Sequence, residues 1–221
     1  EPPSPGEFQN AMKLLSSVPS PEPVLRGLVK DLIAGKVALP VQLDVLEAAQ
    51  RLSNKDESLR DLLKDYNGQM SRKGPLAEFK VALEGGNERG GRNIFNNNAQ
   101  LACSKCHALA SGEKQIGPSL EGIGKRQTAA YLLESLIDPQ AKIVPGYGLV
   151  TLTLNNGRSV TGTLMAETDA GLTVKLTDGS EEIYASSAIA YRTKPLGAMP
   201  DVKALLNKRQ LRDLVAYLCT L

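Results

Sequence analysis

Metal-binding side chains are scarce in this chain of 221 residues, which has one histidine, His107, and three cysteines, Cys103, Cys106 and Cys219. A structural zinc site draws four ligands from two cysteine pairs, or from one pair and two histidines, and this inventory supplies neither. Long apolar runs are missing too. None approaches the ~18 residues that a membrane span requires, so no span is expected. Charge of one sign is absent: 26 basic residues face 24 acidic ones, for a net charge of +2. Such a balance offers no electrostatic basis for binding nucleic acid or an anionic membrane. The chain starts at Glu1 with neither an initiator methionine nor a charged-then-apolar leader. The expectation is that a signal peptide has been removed or that the chain is a piece of a longer protein. No catalytic constellation is present. Glu181 and Glu182 are neighbours on a strand-like stretch, so their side chains face opposite ways and make a poor acid/base pair.

The chemistry that does exist is concentrated. In LACSKCHALA, residues 101–110, Cys103, Cys106 and His107 fall within five positions. Bare zinc is disfavoured by the missing ligands. A redox dithiol normally opens a helix that follows a strand, whereas the preceding GGRNIFNNNAQLA reads as a short helix and a loop. Covalent haem attachment uses all three residues: cysteines one helical turn apart add to the two vinyl groups, and the adjacent histidine points at the iron. A chance Cys-x-x-Cys-His in a loop is the remaining reading, and the flanking residues weigh against it. With no second histidine, a sixth iron ligand would come from methionine, lysine or an exchangeable water. Met12 and Met70 lie in the N-terminal part, Met165 in TGTLMAE fits one face of a strand, and Met199 in PLGAMPDV occupies a loop beside Pro200. Met199 is the expected ligand because its loop gives it no core role.

Three stretches then resemble, in order, the landmarks of c-type cytochromes. GRNIFNNNAQLACSKCHAL is similar to the Gly/Phe helix before the haem motif, IGPSLEGIGKRQTAAYLLESLIDPQAKIVPGY to the Gly-Pro loop, and AMPDVKALLNKRQLRDLVAYLCTL to the Met-Pro loop with its closing helix. More narrowly, residues 85–221 resemble the haem-binding domain typical of Planctomycetes and Verrucomicrobia. The resemblance implies a mainly α, class I cytochrome c-like helical domain holding one haem c. Its thioethers would form at Cys103 and Cys106, its iron ligands would be His107 and Met199, and Pro118 would stand in the loop that buttresses the proximal ring. In that family the domain commonly follows HEAT-like helices and a propeller-type dehydrogenase. The expected function is therefore electron transfer with a redox partner protein or an upstream dehydrogenase domain. Thioether chemistry outside the cytoplasm implies a periplasmic or otherwise exported location. The alternative is a haem enzyme, or a gas or redox sensor, with an open or labile sixth position. Arg126 is the expected propionate partner, while Lys105, Lys114 and Lys125 read mostly as solvated lysines around the motif. Cys219, in the apolar pattern of the last helix, is expected to be a buried small side chain.

Organisation follows from punctuation and period. Residues 1–23, with EPPSPGEF and SVPSPEP, read as a Pro-rich extended linker. Residues 24–84 read as a HEAT-like helical segment built from VLRGLVKDLIAG, PVQLDVLEAAQRL and DESLRDLLKDY, with a further helix over PLAEFKVALE. GGNERGG reads as a flexible joint. Within residues 85–221 the period changes from helical to twofold at about 147–194. There LVTLTL, SVTGTLMAE, LTVKLTD and EEIYASSAIAYR, separated by NNG, TDAG and DG, predict a small antiparallel sheet of four or five strands. Its threonines suit a half-exposed sheet.

Overall fold

The computed structural model describes residues 4–101, 103–110 and 116–221. Helices α1 (Pro5–Leu14), α2 (Glu22–Ile33), α3 (Leu39–Leu52) and α4 (Glu57–Arg72) form an N-terminal body around Leu25, Val29, Val45, Ala49 and Leu59. Of the stretch expected to be extended linker, Pro5–Leu14 is helical, because Ser4 and Glu7 close a reciprocal capping box and Pro5 opens the first turn. Burial of Met12 in this core holds α1 down. Asp56 caps α4 by accepting from Leu59 N–H at 2.9 Å. The expected helix over PLAEFKVALE is a 3-10 helix, Ala77–Ala82.

A second body contains α5 (Glu88–Asn97), the short turns α6 (Cys103–Cys106) and α7 (Ile123–Arg126), α8 (Ala129–Ile137) and α9 (Lys208–Leu218). Its core joins Phe95 of α5, Leu133 and Leu136 of α8, and Leu211, Leu214 and Val215 of α9. GGNERGG is no flexible joint. A Cβ on Gly91 would lie 2.0 Å from the Asp213 carbonyl oxygen, so the glycine is what lets α5 cross α9 closely. Phe95 and Tyr217 then meet with ring centroids 5.7 Å apart.

The two helical bodies are joined by charge. Asp44 of α3 accepts from Arg212 Nη1 at 2.7 Å and from Arg209 Nη2 at 2.8 Å, and Asp44 and Arg212 are each only 2% exposed. Arg209 also pairs with Glu47. The N-terminal helices thus pack on α9 rather than standing apart.

Between α8 and α9 the chain builds β1 (Gly148–Leu154), β2 (Ser159–Thr168), β3 (Gly171–Lys175), β4 (Glu181–Ala185), β5 (Ile189–Arg192) and β6 (Leu196–Gly197). All pairings are antiparallel in the order β4-β3-β2-β1-β5, with β6 also on β1. EEIYASSAIAYR divides into two strands because Ser186–Ala188 forms a 3-10 turn that carries the chain from one sheet edge to the other. Val150, Leu152, Val160, Leu172 and Val174 point inward to a core of their own. Thr151 and Thr161 face each other across the outer side at 2.8 Å.

This sheet overturns the expected mainly α, class I cytochrome c-like architecture. Helices account for 49% of the described residues and strands for 16%, with six strands in one antiparallel sheet. The physical reason is the third core: residues 148–197 bury enough valine and leucine among themselves to form a body rather than a decorated loop. No helix among the described residues is long and apolar enough to cross a membrane.

Candidate functional site

The motif is entered through a side-chain turn. Asn98 Oδ1 accepts from Gln100 N–H at 3.0 Å and Leu101 N–H at 3.1 Å, which reverses the chain after α5 and leads into α6. Cys103 and Cys106 occupy the single turn of α6, and His107 N–H donates to the Cys103 carbonyl at 2.9 Å. Side chains three apart in a helical turn lie on one face, so both thiols are presented to the same side. Cys103 borders the core of the second helical body, and burial pushes its thiol pKa up. A reactive dithiol depresses the thiol pKa of its attacking cysteine, and burial of Cys103 acts in the opposite sense.

His107 is held by the loop that follows. Nδ1–H donates to the Pro118 carbonyl at 2.8 Å, a bond that fixes the tautomer because a carbonyl only accepts. Gly117 N–H donates to the Cys106 carbonyl at 2.8 Å and Leu120 N–H to the Ala108 carbonyl at 2.9 Å, so the loop is stitched back to the motif on both sides of Pro118. Gly117 faces the imidazole directly. A Cβ there would lie 2.7 Å from Cε1, 3.0 Å from Nδ1 and 3.1 Å from Nε2. With Nδ1 committed to Pro118, Nε2 is the nitrogen left for a metal. Among the described residues no three His, Cys, Asp or Glu side chains converge as a bare ion would require.

The four methionines separate by environment. Met12 and Met70 belong to the N-terminal core. Met165 lies on β2 past Thr163, the last residue paired with β1, where the register with β3 shifts, and its side chain lies against Gly146. Met199 alone among them packs against the second helical core, the one that Cys103 also borders. Its loop is fastened downstream by Lys203 Nζ, which donates to the Ile137 carbonyl at 2.9 Å, and upstream by Gln140 of the α8–β1 connection.

Arg126 is exposed, and its guanidinium donates to the carbonyls of Glu121 at 2.7 Å and Gly122 at 3.4 Å, bracing α7. Lys105 and Lys125 are exposed, and Lys114 lies outside the described residues. Cys219 is exposed rather than buried, because α9 ends at Leu218 and Cys219 caps it beyond the apolar stripe. Two contributors escaped the sequence reading. Gly117 carried a signal, since a glycine before a loop proline beside a Cys-x-x-Cys-His cluster invites a close approach; Gln140 carried none, being one polar residue in a connection. Compared with known proteins, the chain matches no family model, and no curated protein matches it.

Proposed function

We propose that the chain carries one haem c, bound covalently through Cys103 and Cys106, and transfers electrons through it as a c-type electron carrier of the kind its motifs resemble. The observation that carries this reading is the fixed imidazole: His107 follows the turn that presents both thiols, donates Nδ1–H to Pro118 at 2.8 Å, and rests against Gly117. That donor set fits the group. Two thiols on one face suit two thioethers, and an imidazole whose Nδ1–H is held by a carbonyl would suit an iron ligand through Nε2. Met199 is the proposed second axial ligand, since it borders the same core as Cys103 while the other methionines do not.

When bound, such a haem supplies reversible one-electron chemistry. The chain's own residues do the rest. Cys103 and Cys106 would keep the group attached in either oxidation state, His107 and Met199 would ligate its iron, and Pro118 would hold the imidazole in one orientation. Ligation by the Met199 thioether together with the His107 imidazole would favour the reduced iron. Arg126 is proposed to meet a propionate. The partner is proposed to be a redox protein or an upstream dehydrogenase domain, in a periplasmic or otherwise exported setting where haem meets reduced thiols.

The test is attachment. Produced with a c-type maturation system, the protein should keep its haem through acid-acetone extraction and denaturation. Replacing both Cys103 and Cys106 by alanine should release it. Haem that extracts freely from the wild-type chain refutes the reading.

A further inference from the structure

The loop that carries Met199 is gripped by one side chain from the other end of the sheet. Gln140 Oε1 accepts from Gly197 N–H at 2.9 Å, while its Nε2 donates to the Gly197 carbonyl at 3.1 Å and to the Met199 carbonyl at 3.4 Å. A primary amide offers both a donor and an acceptor, so Gln140 gives Gly197 what a neighbouring strand would give. The other side of Gly197 is paired with Gly148 of β1. Ile143, three residues after Gln140, closes the space beside Gly197: a Cβ there would lie 2.8 Å from Ile143 Cδ1. On the far side of Met199, Lys203 Nζ holds the Ile137 carbonyl at the end of α8. The ligand loop is therefore tied at both ends to the same short region, the C-terminal end of α8 and the residues just after it.

We propose that Gln140 is a positioning residue for Met199, holding the loop in a ligand-ready conformation before the thioether meets iron; this rests on the reading of Met199 as the sixth ligand. A methionine sulfur is a neutral, weak ligand, so its occupancy depends on how much chain freedom is lost when it binds. A loop already fixed at Gly197 and at the Met199 carbonyl loses less, which is the general advantage of preorganisation. Gln140 touches the loop backbone only and acts through Met199.

The experiment uses the haem-loaded full chain in its ferric state. Imidazole displaces the sulfur ligand, and the near-infrared sulfur-to-iron band reports how much remains bound. In Gln140→Ala the imidazole midpoint should fall by about tenfold, the size of one or two net hydrogen bonds. Gln140→Glu keeps an acceptor for Gly197 N–H but sets a carboxylate oxygen against the Gly197 and Met199 carbonyls, so its midpoint should fall at least as far as that of Gln140→Ala; it also carries the test if the alanine variant folds poorly. Amide exchange at Gly197 should quicken in Gln140→Ala. Lys142→Gln is the control, because Lys142 bonds Glu134 and should titrate as wild type. An unchanged midpoint in Gln140→Ala, with the band present, overturns the clasp while Met199 ligation stands. A band absent from the wild type removes the ligation reading, and the clasp with it.

Discussion

Replacing Gly117 by alanine adds one methyl group where the structure has none to spare. The new Cβ would stand 2.7 Å from His107 Cε1, whereas carbon atoms in ordinary contact are ~3.5–4.0 Å apart. Either the ring withdraws by ~0.8 Å or the loop does. If the ring moves along its bond to Pro118, the 2.8 Å contact lengthens to ~3.6 Å, beyond hydrogen-bonding range. If the loop moves, the bonds from Gly117 N–H to Cys106 and from Leu120 N–H to Ala108 are strained instead. Overpacking of this kind costs about 1–3 kcal/mol, and a lost hydrogen bond adds ~0.5–1.5 kcal/mol. The expected loss is thus roughly 2–4 kcal/mol, a large share of the ~5–15 kcal/mol by which domains are usually stable. Denaturant unfolding of the haem-loaded protein should show a lower midpoint with an unchanged slope. The reduction potential should rise as well, because an imidazole that loses its carbonyl partner is a weaker donor and stabilises ferric iron less. Wild-type stability together with a wild-type potential would refute the claim that Gly117 and Pro118 set the imidazole.

Two further outcomes follow from other parts of the molecule. Asp44→Asn should destabilise the protein by about 3–5 kcal/mol in thermal or denaturant unfolding, because it leaves the buried Arg212 without its counter-charge. Burial opposes ionisation of Asp44, but hydrogen bonds from Arg212 and Arg209 outweigh it and lower the pKa. With the folded value below the unfolded one, this stabilisation is whole above the ordinary carboxylate range and is lost as pH falls through the folded value, so acid unfolding of wild type should approach the mutant's stability at low pH. Met199→Ala should abolish the near-infrared sulfur-to-iron band while haem stays attached, and Met165→Ala should keep it; the reverse pattern would make Met165 the ligand.

What could be read from the sequence was what local pattern determines. The α2, α3 and α4 stripes, the turns at Asn155–Gly157 and Asp178–Gly179, and the strands between them lie where their apolar periods put them. The Cys-x-x-Cys-His cluster was legible because its chemistry is contained in five consecutive residues. Three features were not, each for a reason that lies outside the local pattern. Within the proline-rich start, Pro5–Leu14 is helical because Ser4 and Glu7 cap it and Met12 finds a core contributed by other helices. GGNERGG looked flexible because glycine is permissive, yet Gly91 is set by the approach of α9, more than a hundred residues downstream. The balance of fold class shifted because a twofold period announces strands without telling whether their inner faces meet a helix or one another. Here they meet one another, and the sheet becomes a body.

That self-sufficiency explains how so large a segment can stand between the two proposed iron ligands. Closing a longer loop costs free energy that grows only as ~(3/2)RT ln n, so a folded insertion weighs little on the helical core if its two ends emerge side by side. They do: Gly148 at the start of β1 pairs with Gly197 at the end of β6. The demand on the chain is therefore concentrated at this neck rather than spread over the sheet. Everything that must be placed with care, the Gly197 peptide and the Met199 carbonyl, is bonded there by Gln140, and the Lys203 amine returns to the end of α8 a few residues later. Gln140 and Gly197 are bonded to each other at this neck, so a change at either bears on the Met199 backbone more directly than one in the outer strands.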